Sequence, residues 1–266
     1  MKHTPINRSL LLFMLLLGLS AASFAETYSF IVQPILPAKK TKTAYAPLIA
    51  YLSEKTGHTF ELEAAPNFLS YWQEMKKGQY DVIMDAAHLT DYRTQKMGYR
   101  PIAKVLDVVS FTLVTGEDIF AFEPSELVGK RIASLASPSR GALTLDTFFD
   151  NPLRRPVLLE VTNAQEAIDK VLDKSAHGAI IPTPLVGANP QLNIVSTEEQ
   201  WPHMAFSVSP NISEDTVAAI RSALLEASGS PEGQTMLEQL NLPGFEAADA
   251  SLYQGYSDIL KNFWGY

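Results

Sequence analysis

Ser137, Ser139, Arg140 and Gly141 stand together in a stretch with the makings of an anion site. The preceding Ile132–Ala136 reads as a short apolar strand. From Ala142 to Phe149, the residues Leu145, Phe148 and Phe149 recur at helical spacing. At a strand–loop–helix junction, free backbone N–H groups and the positive end of the helix dipole converge on one spot. The two serines add hydroxyl donors and Arg140 a planar charged fork. The same residues also suit an ordinary strand-to-helix connection with Ser139 as its cap. A second group, Asp85, Ala86 and His88, follows the apolar run Tyr80–Met84 at a helix start. Asp85 caps that helix, accepts from a ligand amine or repels an anion, and His88 either donates to an oxyanion or lies on the helix surface. Thr183, between Pro182 and Pro184, is a rim donor or part of a turn. Pro34, where the first strand stops, and Tyr45, on the helix that follows, complete the candidate ligand-binding set. Tyr45 serves equally well as core.

Catalytic patterns are missing from the sequence. There is no Gly-x-Ser-x-Gly elbow, no His-Glu-x-x-His, no Walker loop and no dinucleotide fingerprint. The five histidines, at 3, 58, 88, 177 and 203, are scattered without metal-ligand spacing. Glu198 and Glu199 lie in a polar run that reads as surface. No cofactor and no metal site is expected.

The elements that must position these residues alternate. Tyr28–Val32, Thr59–Leu62 and Tyr80–Met84 read as strands. Between them run a helix with Tyr45, Leu48, Ile49 and Leu52, ended by Gly57, and a helix over Phe68–Lys77 with Leu69, Trp72 and Met75 as its stripe. Pro37, Lys39, Lys40 and Lys42 read as a loop. Ile102–Val105 and the long β-branched run Val108–Thr115 follow. A second alternating unit then holds a short helix at Pro124–Val128 and strands at Pro156–Glu160, Gly178–Ile181 and Leu192–Val195. Thr162 and Gln165 read as a capping pair. After the strand Met204–Val208 come helices capped by Ser213 and Ser230 and a last one with Leu252, Tyr256, Ile259 and Phe263. This order predicts an α/β chain of two lobes, each a mostly parallel sheet flanked by helices. Lobe 1 is expected over 26–112 plus 208–266 and lobe 2 over 113–207, joined by two crossover strands. Ligands of open α/β sheets sit beyond the carboxyl ends of the strands, which here means the cleft between lobes.

Residues 1–25 carry the marks of a cleavable signal peptide: Lys2, His3 and Arg8, the apolar run Leu10–Leu19, then Ser23-Phe24-Ala25. Cleavage after Ala25 would remove Lys2 and Arg8 and no acidic residue, moving the formal charge from -8 to -10. An acidic chain is a poor partner for nucleic acid. With no cysteine, neither a lipid anchor nor a disulfide is available, so stability must come from the core of the remaining 241 residues, 266 minus 25.

Ala46-Pro47-Leu48 with Tyr51-Leu52 and Thr56-Gly57, then Gly78-Gln79-Tyr80-Asp81-Val82, Leu127-Val128-Gly129-Lys130-Arg131-Ile132-Ala133, Pro231-Glu232-Gly233 and Gly244-Phe245 occur in an order that resembles one family. It is that of the phosphate/phosphite/phosphonate (PhnD-like) periplasmic substrate-binding proteins of ABC importers. The resemblance implies a type II periplasmic-binding fold and a monomer that captures a small, anionic, phosphate- or phosphonate-like ligand. It also implies an inner-membrane permease as partner and no enzyme activity. In that family a Ser-Thr-Ser-Gly type loop holds the anion. Here the loop reads Pro138-Ser139-Arg140-Gly141, with Arg140 in place of a hydroxyl. Where members that bind aminoalkyl phosphonates often have a histidine, this chain reads Thr162-Asn163-Ala164. Two other roles stay open: a ligand-sensing module for a membrane signalling protein, and a secreted α/β enzyme.

Overall fold

Residues 25–262 are described by a computed structural model of the chain. Residues 1–24 of the leader expected over 1–25, and the Phe263 of the last helix, lie outside the described residues.

Strand β1 (Thr27–Val32) carries Phe30, Ile31 and Val32 as a continuous run, and all three are buried, so both faces of its sheet must be covered. Parallel partners flank it: β2 (Thr59–Glu63) and β3 (Val82–Asp85). The crossovers are helices, α1 (Ala38–Thr56) and α2 (Phe68–Met75). After α3 (Ala87–Met97), β4 (Arg100–Val105) joins the same sheet. The chain then leaves through the two-residue strand β5 (Val108–Val109) into a second sheet that begins with β6 (Phe111–Gly116).

The second sheet adds β7 (Arg131–Leu135), helix α4 (Arg140–Phe148), β8 (Val157–Val161), helix α5 (Ala164–Leu172), β9 (Gly178–Pro182), the single turn α6 (Pro184–Gly187) and β10 (Leu192–Thr197). Its strand order is β10-β6-β9-β7-β8. Strand β11 (Trp201–Pro202) returns antiparallel to β5, so the two passages between the sheets are hydrogen-bonded to each other. Then β12 (Ala205–Val208) inserts between β3 and β4, helices α7 (Glu214–Leu225) and α8 (Pro231–Leu240) follow, and β13 (Phe245–Ala247) closes the edge. The first sheet therefore runs β13-β4-β12-β3-β1-β2. Both sheets are mixed: three parallel strands form one side of each, out to the edge strands β2 and β8, and the rest pair antiparallel.

The sequence expectations shift in several places. The run Val108–Thr115 is two strands, parted at Ser110, and Phe111 and Thr112 sit in the second sheet while Ala205–Ser207 sit in the first. Lys39, Lys40 and Lys42 are not in a loop. Pro37 stands at the N-cap, and the lysines occupy the solvent side of the opening turns of α1. Asn67 caps α2 through a bond from Ser70 N–H, and this turns Phe68, Tyr71, Trp72 and Met75 inward, leaving Leu69 43% exposed. Asn163, not Thr162, caps α5, while the Glu166 carboxylate accepts from Thr162 N–H and its hydroxyl. The expected terminal helix is two 3-10 segments, Ala250–Tyr253 and Tyr256–Asn262, separated at Gly255, whose φ of 91° breaks any continuous helix.

Helix α4 of the second sheet reaches across to the first. Its Leu143 is buried in the apolar cluster of Ile31, Tyr71, Trp72, Ile83 and Leu89.

Candidate functional site

A cavity of about 350 Å³ lies between the two sheets. The first lobe contributes Gln33, Ile35, Ala86 and Met204 to its wall, the second Phe111, Leu135, Arg140 and Pro182, and the crossovers Val109 and Trp201. Most of this lining is aliphatic or aromatic. A second hollow of about 420 Å³ on the same seam holds Pro34 beside Leu135 and Thr162. Among the described residues no group of three or more His, Cys, Asp or Glu could hold a metal ion, and no helix is long and apolar enough to cross a membrane.

Asp85 is not a helix cap and does not line the cavity. It is the last residue of β3, and its carboxylate is enclosed by donors: both Arg93 terminal nitrogens, the Tyr71 hydroxyl at 2.5 Å and the Thr90 hydroxyl at 3.0 Å. Arg93 and Asp85 are both fully buried, and Arg93 Nη2 also donates to the Ser207 hydroxyl at 3.3 Å. Burial, and next the Asp85 charge, push the Tyr71 phenol well up, so it remains a donor. This is a structural hub tying β3, α2, α3 and β12 together. The cap position of α3 falls to Ala86, whose N–H donates to Gln33 Oε1 at 3.2 Å and which lines the cavity.

His88, on the first turn of α3, is fully buried and spans the lobes. Its Nε2 lies 2.9 Å from the Pro138 carbonyl of the β7–α4 loop. A carbonyl only accepts, so Nε2 carries the proton, and Nδ1 is a buried acceptor with no partner. Burial pulls its pKa down to about 4; the Pro138 bond opposes that, and the nearby Arg140 charge adds to it. His88 is therefore neutral and fastens one lobe to the other.

Arg140 is the one candidate from the loop that reaches the cavity wall. It is buried at the first position of α4, pairs through Nη2 with Glu198, and lays its guanidinium 3.6 Å from the ring centre of Trp201. Glu198 also accepts from the Thr144 hydroxyl at 2.8 Å and from Phe111 N–H at 3.0 Å. Glu198 is thus not part of a surface run; it is buried as the counter-charge of Arg140. Burial lowers the Arg140 pKa to about 10, opposed by Glu198, and burial raises that of Glu198, opposed by Arg140. Arg140 Nε and Nη1 have no partner.

The remaining candidates are placed elsewhere. Ser139 caps α4, its hydroxyl accepting from Ala142 N–H at 3.2 Å and donating to the Leu135 carbonyl at 3.0 Å. Gly141 packs so closely that a Cβ there would stand 2.6 Å from Ser134 Oγ. Thr183 shares its hydroxyl with Ser110 at 2.8 Å and Thr112 at 2.9 Å. Tyr45 lies in the core of the first lobe, where burial raises its phenol pKa to about 12. Ser137 lies in the loop before Pro138; neither it, Ser139 nor Thr183 lines the cavity.

Among the wall or wall-supporting residues that sequence reading missed as candidates are Gln33, Glu198, Trp201 and His203. Gln33 Nε2 points to the Met204 thioether at 3.0 Å, a weak acceptor. His203 Nδ1 accepts from Met204 N–H at 2.8 Å, which leaves its proton on Nε2; burial first, then Lys104, pull its pKa down to about 4. The available signal was Trp201-Pro202-His203, a bulky, rigid, polar-tipped triplet beside a crossover strand.

The profile of the ABC-transporter phosphonate periplasmic substrate-binding proteins matches residues 30–253. No curated protein matches the sequence significantly. Among solved structures, a phosphonate-transporter binding component from Pseudomonas aeruginosa is similar at 14% identity and TM-score 0.72, over 86% of this chain and 83% of that one. PhnD1 from Prochlorococcus marinus, solved with methylphosphonate, is similar at 11% identity and TM-score 0.76, over 88% and 97%. A Xanthomonas citri protein solved with ATP is similar at 14% identity and TM-score 0.70, over 88% and 95%.

Proposed function

The chain belongs to the phosphonate family of ABC-transporter periplasmic substrate-binding proteins, and we propose that it closes its two lobes on one small solute in the 350 Å³ cavity and hands it, as a monomer, to an inner-membrane permease. The family is one of transport proteins, not enzymes, and it works in the periplasm. Residues 1–25 would serve as the leader that takes the chain there.

One observation carries the reading. The cavity lies between the lobes, where the Arg140 donors and the amide of Gln33 come together in an apolar wall, and His88 and Leu143 join the lobes around it. Hydrogen bonds completed only when the lobes meet couple capture to shape, which is what a permease can read. The hinge is the β5–β11 pair, since both passages between the sheets run through it.

The test joins native mass spectrometry of protein purified without added ligand, thermal unfolding, and small-angle scattering. A ligand at a hundred times its Kd adds about 2.7 kcal/mol to stability, roughly 5–10 °C in Tm for a chain of this size. Neither bound mass, nor thermal shift, nor change in radius of gyration with phosphate, methylphosphonate and small carboxylates would sink the reading.

A further inference from the structure

We propose that the cleft is built for an organic monoanion, a carboxylate on an apolar body the size of a ring, and not for a dianionic phosphonate. The inference rests on the solute-binding reading above and narrows its ligand.

Charge comes first. Arg140 is the only Lys, Arg, Asp or Glu on the cavity wall, and Glu198 already neutralises it. A dianion entering this cavity would find a site of net charge zero, and burying two charges without a counter-charge is strongly unfavourable. A monoanion asks much less of the same site, because its single charge is spread over a carboxylate that Arg140 can still meet.

Donors come second. Arg140 Nε and Nη1 are buried and unpartnered, Gln33 Nε2 has only a thioether, and His203 offers Nε2–H at the same wall. These three are donors. The Asn163 and Gln165 amides also line the cavity, but their N–H groups donate to the Thr162 hydroxyl and the Asp169 carboxylate, and Asn163 Oδ1 accepts from Glu166 N–H. The one nearby carboxylate is taken by Arg140, Thr144 and Phe111 N–H. With three donors at the wall against the Gln165 amide oxygen, the site favours an acceptor over an amine. No serine, threonine, tyrosine or lysine lines the cavity, and the hydroxyls of Ser139 and Thr183 are already bonded. A phosphonate, with three acceptor oxygens, would be left short of donors.

The wall comes third. Ile35, Leu36, Val109, Phe111 and Leu135 surround the donors with apolar surface, and Trp201 gives a flat face. A methyl group would leave most of this in contact with water, whereas a ring or branched chain would cover it.

The test is calorimetric titration at about pH 8.5 with benzoate, phenylacetate and isovalerate on one side and methylphosphonate and inorganic phosphate on the other. At least one carboxylate is expected to bind ten-fold or more tightly than either phosphorus anion. Glu198→Gln removes the counter-charge, and it should strengthen methylphosphonate binding at least ten-fold while changing carboxylate binding less. Arg140→Gln/Glu198→Gln, which leaves no buried charge unpaired, should lose carboxylate binding by ten-fold or more. Tight methylphosphonate binding to the wild type with none for carboxylates overturns the ligand class and leaves the solute-binding reading standing. Binding by neither class, with no compaction in scattering, overturns both. Unchanged preference in Glu198→Gln overturns the charge argument.

Discussion

At pH 7.5 His88 is neutral and holds the Pro138 carbonyl across the interlobe seam; at pH 5 it is asked to carry a charge where it is fully buried. The groups around it divide: Asp85 favours the charged form, while Arg140 from the facing lobe and Arg93 from its own helix oppose it, and burial outweighs them all. Its pKa of about 4 in the folded protein lies below the ordinary 6.5. The opened or unfolded chain therefore binds more protons between those values, and stability falls as pH falls through that window. Above about pH 7 the effect is absent, and at pH 5 the two pKa values give a loss of about 2 kcal/mol. Urea unfolding at both pH values, for wild type and His88→Gln, measures it. His203 titrates in the same direction but is present in both proteins, so their difference isolates His88. Wild type should lose about 2 kcal/mol more than the variant between pH 7.5 and pH 5. Parallel pH curves for the two proteins would refute the latch.

Two further substitutions probe the frame. Asp85→Asn removes one partner of a fully buried ion pair and should cost about 3–5 kcal/mol in urea unfolding, with much of it restored by Asp85→Asn/Arg93→Met. Gly141→Ala brings a Cβ to 2.6 Å from a buried, unpartnered Ser134 hydroxyl and should cost about 1–3 kcal/mol. Ser134→Ala removes that oxygen, so a double-mutant cycle should show a favourable coupling of at least about 0.5 kcal/mol.

What the sequence made legible followed from local signals. The Ser139, Ser213 and Ser230 caps are where hydroxyl-before-helix reasoning puts them, and the apolar runs became the strands of two sheets. Arg140 could be placed at the loop because helix starts next to strand ends face the cleft. Its neutralisation could not, since Glu198 lies 58 residues away and its neighbours read as polar surface. Asp85 misled for the same reason. A carboxylate at a strand end suggests a ligand, and nothing along the chain says that an arginine eight residues on will turn back to it through the core. Periodicity reports which face is apolar. It does not report which buried charges find each other.

The placement of β12 between β3 and β4 bears on how the protein acquires its structure. Residues 111–197 form a contiguous sheet that can assemble as soon as they are available. The other sheet has a gap at its centre until residues 205–208 arrive, and its outer strand β13 is later still. Order of emergence and order of completion therefore differ: β1, β2 and β3 can pair with one another early, but the facing edges of β3 and β4 stay unsealed until β12 is available. Pairings across so many residues form slowly. Completion of the first sheet is therefore expected to trail that of the second.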